Sequence, residues 1–356
     1  MPAQQAQPQL QSMMLPNTLG LPAQAVHGVT VNSIAQLQAA IVLAAARAEP
    51  LHVLGGGSNV VLPRTLSGIA VRMLIGGIVI KERTDAACRF EVGAGESWQG
   101  FVRCCIGQGL GGGIENLTLI PGTVGAAPIQ NIGAYGVEVA EFIDAVEVVD
   151  RQVTTAGGAN EPYWLPASDC AFDYRDSCFK QQPDRWVVSR VRFNVPVNGE
   201  LRTEYAGITD ELARMGYAGQ AKSLRPATIA EAVARTRRRK LPDPRHHPNA
   251  GSFFKNPVLT QRRYEELLAN GFAVLREVPS WQQGQHIKLS AAALIEQAGW
   301  KERAAPRVAV WQRQPLVLVN LGGADAADIN AHADAIRQSV SEQFGIALEQ
   351  EPQRLQ

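Results

Sequence analysis

The sequence predicts an α+β fold divided among three domains, and three observations predict it. Early in the chain, short apolar runs of strand length surround one helical stripe and a glycine turn. A long stretch rich in Gly and Pro then shows neither the helical nor the strand period, and the last third carries amphipathic helical stripes around a buried strand. At 356 residues, 46% hydrophobic and 19% charged, the chain exceeds one compact core and can fill several.

The elements follow in order. Met1 to Pro16, rich in Gln and Pro, reads as a disordered tail. Ser33 to Ala48 places Leu37, Ile41 and Ala44 at helical spacing. Leu51–Leu54 reads as a short buried strand that opens onto Gly55-Gly56-Gly57-Ser58-Asn59, and Val60–Leu62 resumes a strand. Further strands are expected at Ile69–Met73, Gly77–Lys81, Phe90–Val92, Ala145–Val148 and Trp186–Phe193. Gly109 to Gly136 reads as a long ordered loop, a length that inside a domain usually serves function. A helix with Ile229, Ala232, Val233 and Thr236 on one face ends in Arg237-Arg238-Arg239-Lys240 before Pro242. Leu289–Gln297 reads as a helix and Pro315–Val319 as a strand. The stripe Ile329, Ala333, Ile336, Val340 and Phe344 makes a last helix, started by Asp325 and stopped before Gly345.

Charge and cysteine usage exclude several classes. Lys+Arg number 34 against 33 Asp+Glu, which lacks the positive field of a dedicated nucleic-acid binder. The run Arg235–Lys240 could be a nucleic-acid patch, although a solvated helix end, favoured by the dipole, is the commoner meaning. Five cysteines, two of them adjacent and none in a CxxC, fit reduced thiols in a cytoplasmic protein better than a disulfide framework or zinc site. The histidines show no metal-ligand spacing, so no metal is expected. No signal peptide and no run of membrane-spanning length is expected either.

Two features can carry chemistry. In Gly55-Gly56-Gly57-Ser58-Asn59, the absent Cβ atoms let backbone amides converge on a phosphate, with Ser58 and Asn59 adding side-chain donors; a tight turn explains the run equally well. It is not GxGxxG and no helix follows, which disfavours a Rossmann site. The second is Pro121-Gly122-Thr123-Val124-Gly125-Ala126-Ala127-Pro128-Ile129-Gln130-Asn131-Ile132-Gly133-Ala134-Tyr135-Gly136, a stiff ribbon that can lie against a flat or anionic ligand. Its few polar side chains suit a ligand gripped by main-chain amides, and a rigid structural loop is the alternative.

These two motifs, with Val92-Gly93-Ala94-Gly95-Glu96-Ser97-Trp98 between them, resemble the FAD-binding half of the UDP-N-acetylenolpyruvoylglucosamine reductases. Three later segments resemble the same family in the same order: Tyr174-Arg175-Asp176-Ser177-Cys178-Phe179-Lys180, Asn249-Ala250-Gly251-Ser252-Phe253-Phe254-Lys255-Asn256-Pro257 and Lys288-Leu289-Ser290-Ala291-Ala292. With Asn17-Thr18-Leu19-Gly20, the resemblance covers nearly the whole chain after the tail.

The resemblance implies two α/β domains forming a vanillyl-alcohol-oxidase-like FAD-binding fold, plus a C-terminal α+β substrate-binding domain. On it the chain divides into a tail (1–16), an FAD-binding domain in two parts (17–82 and 83–227), a substrate-binding domain (228–344) and a segment returning to the active site (345–356). It implies FAD, held without a covalent bond, as cofactor. NADPH is the implied reductant, and a nucleotide-sugar enolpyruvyl ether the implied substrate, on a monomer. Gly55, Gly56, Gly57, Ser58 and Asn59 would bind the cofactor, with Pro121, Gly122, Thr123, Gly125, Ala126, Ala127, Gln130, Asn131, Gly133, Ala134, Tyr135 and Gly136.

Reduction puts negative charge beside the substrate carboxylate, and Arg175 would grip that carboxylate through parallel hydrogen bonds. Ser252 would donate the proton, and a C-terminal glutamate would polarise the same group: Glu351 by position, with Glu349 as the alternative. Tyr174, Tyr205, Lys240, Asn256 and Gln314 would contact the nucleotide-sugar, Tyr205 from a mobile loop that covers the diphosphate. Around Trp311 the sequence departs from the family pattern.

Overall fold

The computed structural model describes residues 8–152, 160–303 and 306–356. It divides into two compact units: Met1–Met14, Ala25–Gly56 and Ser67–Arg237 form the first, and Leu15–Gln24, Gly57–Leu66 and Arg238–Gln356 the second.

In the first unit, a four-stranded sheet runs in the order Gln11–Met14, Gln24–Val31, Thr65–Met73, Leu51–Leu54. The last two pair in parallel, with Leu51 opposite Ile69. The helix Ile34–Arg47 precedes Leu51–Leu54 in the chain, as its periodicity predicts. The Ser33 hydroxyl accepts from the Gln36 amide at 3.3 Å, and Leu37, Ala40, Ile41 and Ala44 form the buried face.

The disordered-tail reading fails at Gln11–Met14, which is the edge strand of that sheet. A segment of Gln, Ser and Met has no apolar period to announce a strand; it is ordered by backbone pairing. Gly28 on the neighbouring strand admits it, since a Cβ there would lie 2.4 Å from Met13 Cβ. Residues 1–7 of the tail lie outside the described residues.

The second sheet of this unit is antiparallel, in the order Tyr163–Pro166, Ile143–Asp150, Trp186–Pro196, Ala87–Gly93, Ile78–Arg83. A helix that periodicity does not announce, Trp98–Gly107, packs its face onto it: Phe101 stands 4.5 Å from Phe193 and 5.5 Å from Phe90, centroid to centroid. Gly100 and Gly107 weaken the helical signal in the sequence. The stretch expected to be one ordered loop is ordered, but contains 3-10 turns at Ile114–Leu117 and Val124–Ala126 and a small hairpin of Gly133–Ala134 with Val137–Glu138. Helix Ala206–Arg214 contributes Ile208 and Leu212, which pack with Ile229, Ala232 and Val233 of helix Pro226–Lys240.

The second unit holds two three-stranded antiparallel sheets. One is Asn249–Ser252, Val317–Asn320, Val308–Val310; the other is Val258–Thr260, His286–Leu289, Ser280–Gln283. Helices Gln261–Ala269, Ala291–Gln297 and Ala326–Phe344 join the same core. The last begins and ends where expected: Asp325 and Asp328 make a reciprocal capping box, and Gly345 closes it at φ 66°. At the C-terminus Gln353–Arg354 pairs in parallel with Val60–Val61.

Candidate active site

The two glycine motifs meet in the first unit. A Cβ on Gly55 would fall 2.3 Å from Thr123 Oγ1, and one on Gly56 would lie 3.3 Å from Gly122 Cα. Gly55 therefore packs on the Thr123 side chain with no room for a Cβ, and Gly56 lies close against the Gly122 backbone. Behind them, a Cβ on Gly125 would lie 2.4 Å from that of Ala94, so the Val92–Trp98 segment underlies the same ribbon.

The ribbon is narrower as an amide donor than the sequence suggests. The amides of Gly125, Ala126, Ala127 and Asn131 donate to the carbonyls of Ala94, Thr123, Val124 and Pro128. What these residues can offer a flat ligand is close backbone surface. At Gly55 and Gly56 the space a Cβ would take is filled by Thr123 and crowded by Gly122, respectively.

Arg175 sits at the tip of a turn closed by reciprocal backbone bonds, Asp173 N to Asp176 O at 3.2 Å and Asp176 N to Asp173 O at 3.0 Å. Its φ is 54°, a strained value for a residue with a side chain. Its Nη2 donates to the Gly133 carbonyl at 2.7 Å, its Cζ lies 5.2 Å from the Tyr174 ring centroid, and Lys180 Nζ donates to its carbonyl at 3.0 Å.

Buried Asn131 fixes this turn. Its amide nitrogen donates to Glu138 Oε2 at 2.7 Å and to the Asp173 carbonyl at 3.1 Å, and its Oδ1 accepts from Ala140 N at 3.0 Å. Both amide hydrogens are committed to the protein, which makes Asn131 a brace for Arg175. Ser177 adds a 2.6 Å bond to the Ile129 carbonyl.

Tyr135, at φ 52°, meets the ring of Tyr205 edge-on at a centroid distance of 5.3 Å, and Tyr205 is half exposed. Burial pulls the Arg237 guanidinium below its ordinary value, opposed by its hydrogen bond to Tyr135. Glu115 is pushed up by burial despite accepting from the amides of Gly112 and Gly113.

In the second unit, Ser252 ends a strand opposite Val317, after a bulge between Asn249 and Ser252 where Gly251 has φ 71°. Buried Asn249 holds the bulge, donating to the Pro242 and His247 carbonyls at 3.1 and 2.8 Å and accepting from Gly251 N at 2.9 Å. The C-terminal segment runs beside it: Glu351 N donates to the Phe253 carbonyl at 2.9 Å, and Lys255 N to the Glu349 carbonyl at 2.9 Å. Asn59 Nδ2 donates to the Glu351 carbonyl at 3.3 Å and Gln353 N to the Asn59 carbonyl at 3.0 Å. Glu351 thus stands between Asn59 and the residue after Ser252. Glu349 is exposed and ion-paired with Lys255.

Of the residues expected at the nucleotide-sugar, Lys240 and Gln314 adjoin one another through Trp311. Its indole donates to the Lys240 carbonyl at 3.1 Å, and its carbonyl accepts from Gln314 N at 3.1 Å. The residue at which the sequence departs from the family pattern is therefore a structural link between two expected contacts. Asn256 Oδ1 accepts from Ala291 N at 3.0 Å, at the start of helix Ala291–Gln297. Arg175, Tyr174 and Tyr205 belong to the first unit, and Ser252, Glu351, Lys240, Asn256 and Gln314 to the second. The sequence reading missed Asn116, and Asn131 and Asn249 as braces; an asparagine's neighbours in sequence carry no trace of which carbonyls it bridges.

Among the described residues, no group of three or more His, Cys, Asp or Glu is placed to hold a metal, and no helix is long and apolar enough to cross a membrane. The five cysteines are free.

Comparison with known proteins agrees with this division of labour. Residues 26–155 match the family model of an FAD binding domain, and residues 243–355 that of the UDP-N-acetylenolpyruvoylglucosamine reductase C-terminal domain. The reductase of that name from Azoarcus sp. (strain BH72) is 46% identical over 341 residues, 94% of each chain. That from Xanthomonas campestris pv. campestris (strain B100) is 47% identical over 305 residues, 85% of this chain and 83% of its own. Among solved structures, the UDP-N-acetylenolpyruvylglucosamine reductase of Thermus caldophilus aligns with a TM-score of 0.63 at 24% identity, covering 98% of this chain and 100% of its own. A solvent-stable cholesterol oxidase aligns at 0.52 and 11% identity, covering 99% and 88%. These two structural likenesses establish the fold: an FAD-binding architecture followed by a C-terminal α+β domain.

Proposed function

The chain belongs to the UDP-N-acetylenolpyruvoylglucosamine reductase family, and from that premise we propose how its residues carry out the reaction. It is an FAD-dependent oxidoreductase that reduces UDP-N-acetylenolpyruvoylglucosamine, a step of peptidoglycan precursor synthesis. NADPH is the electron donor and UDP-N-acetylmuramate the product. FAD, when bound, supplies the hydride that reaches the enolpyruvyl methylene carbon. Gly55, Gly56, Gly57, Ser58 and Asn59 would hold it together with the ribbon residues from Pro121 to Gly136.

Arg175 binds the substrate carboxylate and stabilises the charge that grows beside it as the hydride arrives. Glu351, the match by position, polarises the same group, with Glu349, ion-paired to Lys255, as the alternative. Ser252 donates its hydroxyl proton to the adjacent carbon, a transfer that a poor acid makes only when held within contact of a strong base. Tyr174, Tyr205, Lys240, Asn256 and Gln314 hold the nucleotide-sugar, with Tyr205 over the diphosphate. The protein acts as a cytoplasmic monomer on small molecules, without nucleic acid or membrane.

The observation that carries the chemical assignment is the strained Arg175 turn. Backbone strain is tolerated where a side chain must be aimed, and this one is braced by Asn131 and docked on the ribbon at Gly133. The test is anaerobic absorbance of the purified protein through addition of NADPH and then of the enolpyruvyl substrate. Flavin bleaching followed by recovery is expected. Bleaching without recovery overturns the substrate, and a protein that takes up no FAD overturns the reading as a whole.

A further inference from the structure

Asn116 lies fully buried in the 3-10 turn Ile114–Leu117 and has no place in the chemistry above. Its amide nitrogen donates to the Tyr135 carbonyl at 3.2 Å and to the Arg202 carbonyl at 3.0 Å. The first carbonyl belongs to the end of the glycine ribbon and the second to the segment that leads into Tyr205. The two tyrosine rings then meet edge-to-face at 5.3 Å.

Other contacts hold the same segment, but differently. Arg202 pairs with Glu141 at 3.0 Å, an exposed ion pair of little strength in salt. Thr209 Oγ1 donates to the Thr203 carbonyl at 2.6 Å, which ties the segment to its own helix and to nothing beyond. Asn116 joins the backbones at Tyr135 and Arg202 directly, from a fully buried side chain, and its truncation removes both bonds at once.

We propose that Asn116 is a positioning residue: it sets the placement of Tyr205 relative to the ribbon, and so governs nucleotide-sugar binding without touching the ligand. The inference rests on the reading of Tyr205 as the residue that covers the substrate diphosphate. It predicts a split between binding and chemistry, because the bonds of Asn116 reach only the Tyr135 carbonyl, at the end of the ribbon opposite Gly122 and Thr123, and the Arg202 carbonyl.

The experiment compares wild type, Asn116→Ala, Asn116→Ser, Tyr205→Ala and the double variant Asn116→Ala/Tyr205→Ala, each as FAD-loaded protein. FAD content, the rate of flavin bleaching by NADPH, and KM and kcat for UDP-N-acetylenolpyruvoylglucosamine are measured in parallel. Asn116→Ala is expected to raise KM about tenfold while kcat stays within about twofold and FAD content and bleaching are unchanged. The double variant should be no worse than Tyr205→Ala alone, as for two residues acting through one effect. Asn116→Ser keeps one donor hydrogen and should show a smaller rise, which covers the case in which the alanine variant does not fold.

A normal KM in both Asn116 variants beside an impaired Tyr205→Ala overturns the inference alone. Multiplying effects in the double variant, or a KM rise accompanied by FAD loss, also overturn it. A normal KM in Tyr205→Ala overturns the underlying reading of Tyr205 together with the inference.

Discussion

The turn that carries Arg175 and the bulge that carries Ser252, each within its own unit, solve one problem in different ways. Both use left-handed backbone at or beside the presented residue, and both are braced by a buried asparagine whose Oδ1 accepts one backbone N–H: Asn131 gives its amide hydrogens to the Glu138 carboxylate and the Asp173 carbonyl, Asn249 to the Pro242 and His247 carbonyls. In the bulge the positive φ of 71° falls on Gly251, one residue before Ser252, where no side chain resists it. In the turn the φ of 54° falls on Arg175 itself. Glycine cannot relieve strain at the residue whose guanidinium the proposed chemistry uses, so the turn keeps it, at a cost of about 1–2 kcal/mol. The strain sits on the functional residue only where geometry leaves no neighbour to take it.

The largest expected effect tests that contrast at its centre. Arg175→Ala should lower kcat for substrate reduction by roughly 10³-fold while NADPH still bleaches the flavin, measured by stopped flow on the two half-reactions. Ser252→Ala should follow at about 10²-fold or more in the substrate half-reaction alone. Normal turnover would remove Ser252 as proton donor and leave the bulge without a function to compare. Gly55→Ala drives a methyl group into Thr123 and should cost about 1–3 kcal/mol of stability with loss of bound FAD, read by thermal unfolding and absorbance.

Gly251→Ala sharpens the comparison most directly. Nothing lies within 4 Å of a Cβ there, so the change should cost about 1 kcal/mol through backbone strain alone. A much larger loss of Tm would show that the bulge, unlike the Arg175 turn, cannot bear strain.

The smallest effect concerns His332, buried against Trp300 at 5.2 Å with Nε2 unpartnered. Burial lowers its proton affinity below the ordinary 6.5. With the folded value depressed, neutral His332 is tolerated above the unfolded value, and stability is lost as pH falls through that value toward the folded one. His332→Gln should flatten the acid limb of Tm against pH by less than about 1 kcal/mol; an unchanged limb would assign the acid sensitivity to other groups.

Much of the fold was legible because local free energy wrote it. Ser33 with Leu37, Ile41 and Ala44, and Asp325 with the stripe to Phe344, announced helices that cap and bury as expected. That Gly55 and Gly56 pack on Thr123 and Gly122 was not legible, since the glycines were read for approach to a ligand and not to one another. Helix Trp98–Gly107 and strand Gln11–Met14 were not legible: the first hides its face behind two glycines, and the second gains its order from the edge it joins.

By itself the sequence determined the α+β class and the residue types able to bind an anion or give a proton. Tertiary structure alone decided that Gln353 pairs with Val60, that Asn116 bridges Tyr135 to Arg202, and that Asn131 and Asn249 spend their amides as braces. Periodicity and caps reflect neighbours a few residues apart, whereas the Gln353, Asn116 and Asn131–Asp173 bonds join groups far apart in the chain. Asn249 reaches nearby carbonyls only across a bulge set by pairing with Val319. Such partners are fixed only when the whole chain closes and each buried donor must find an acceptor.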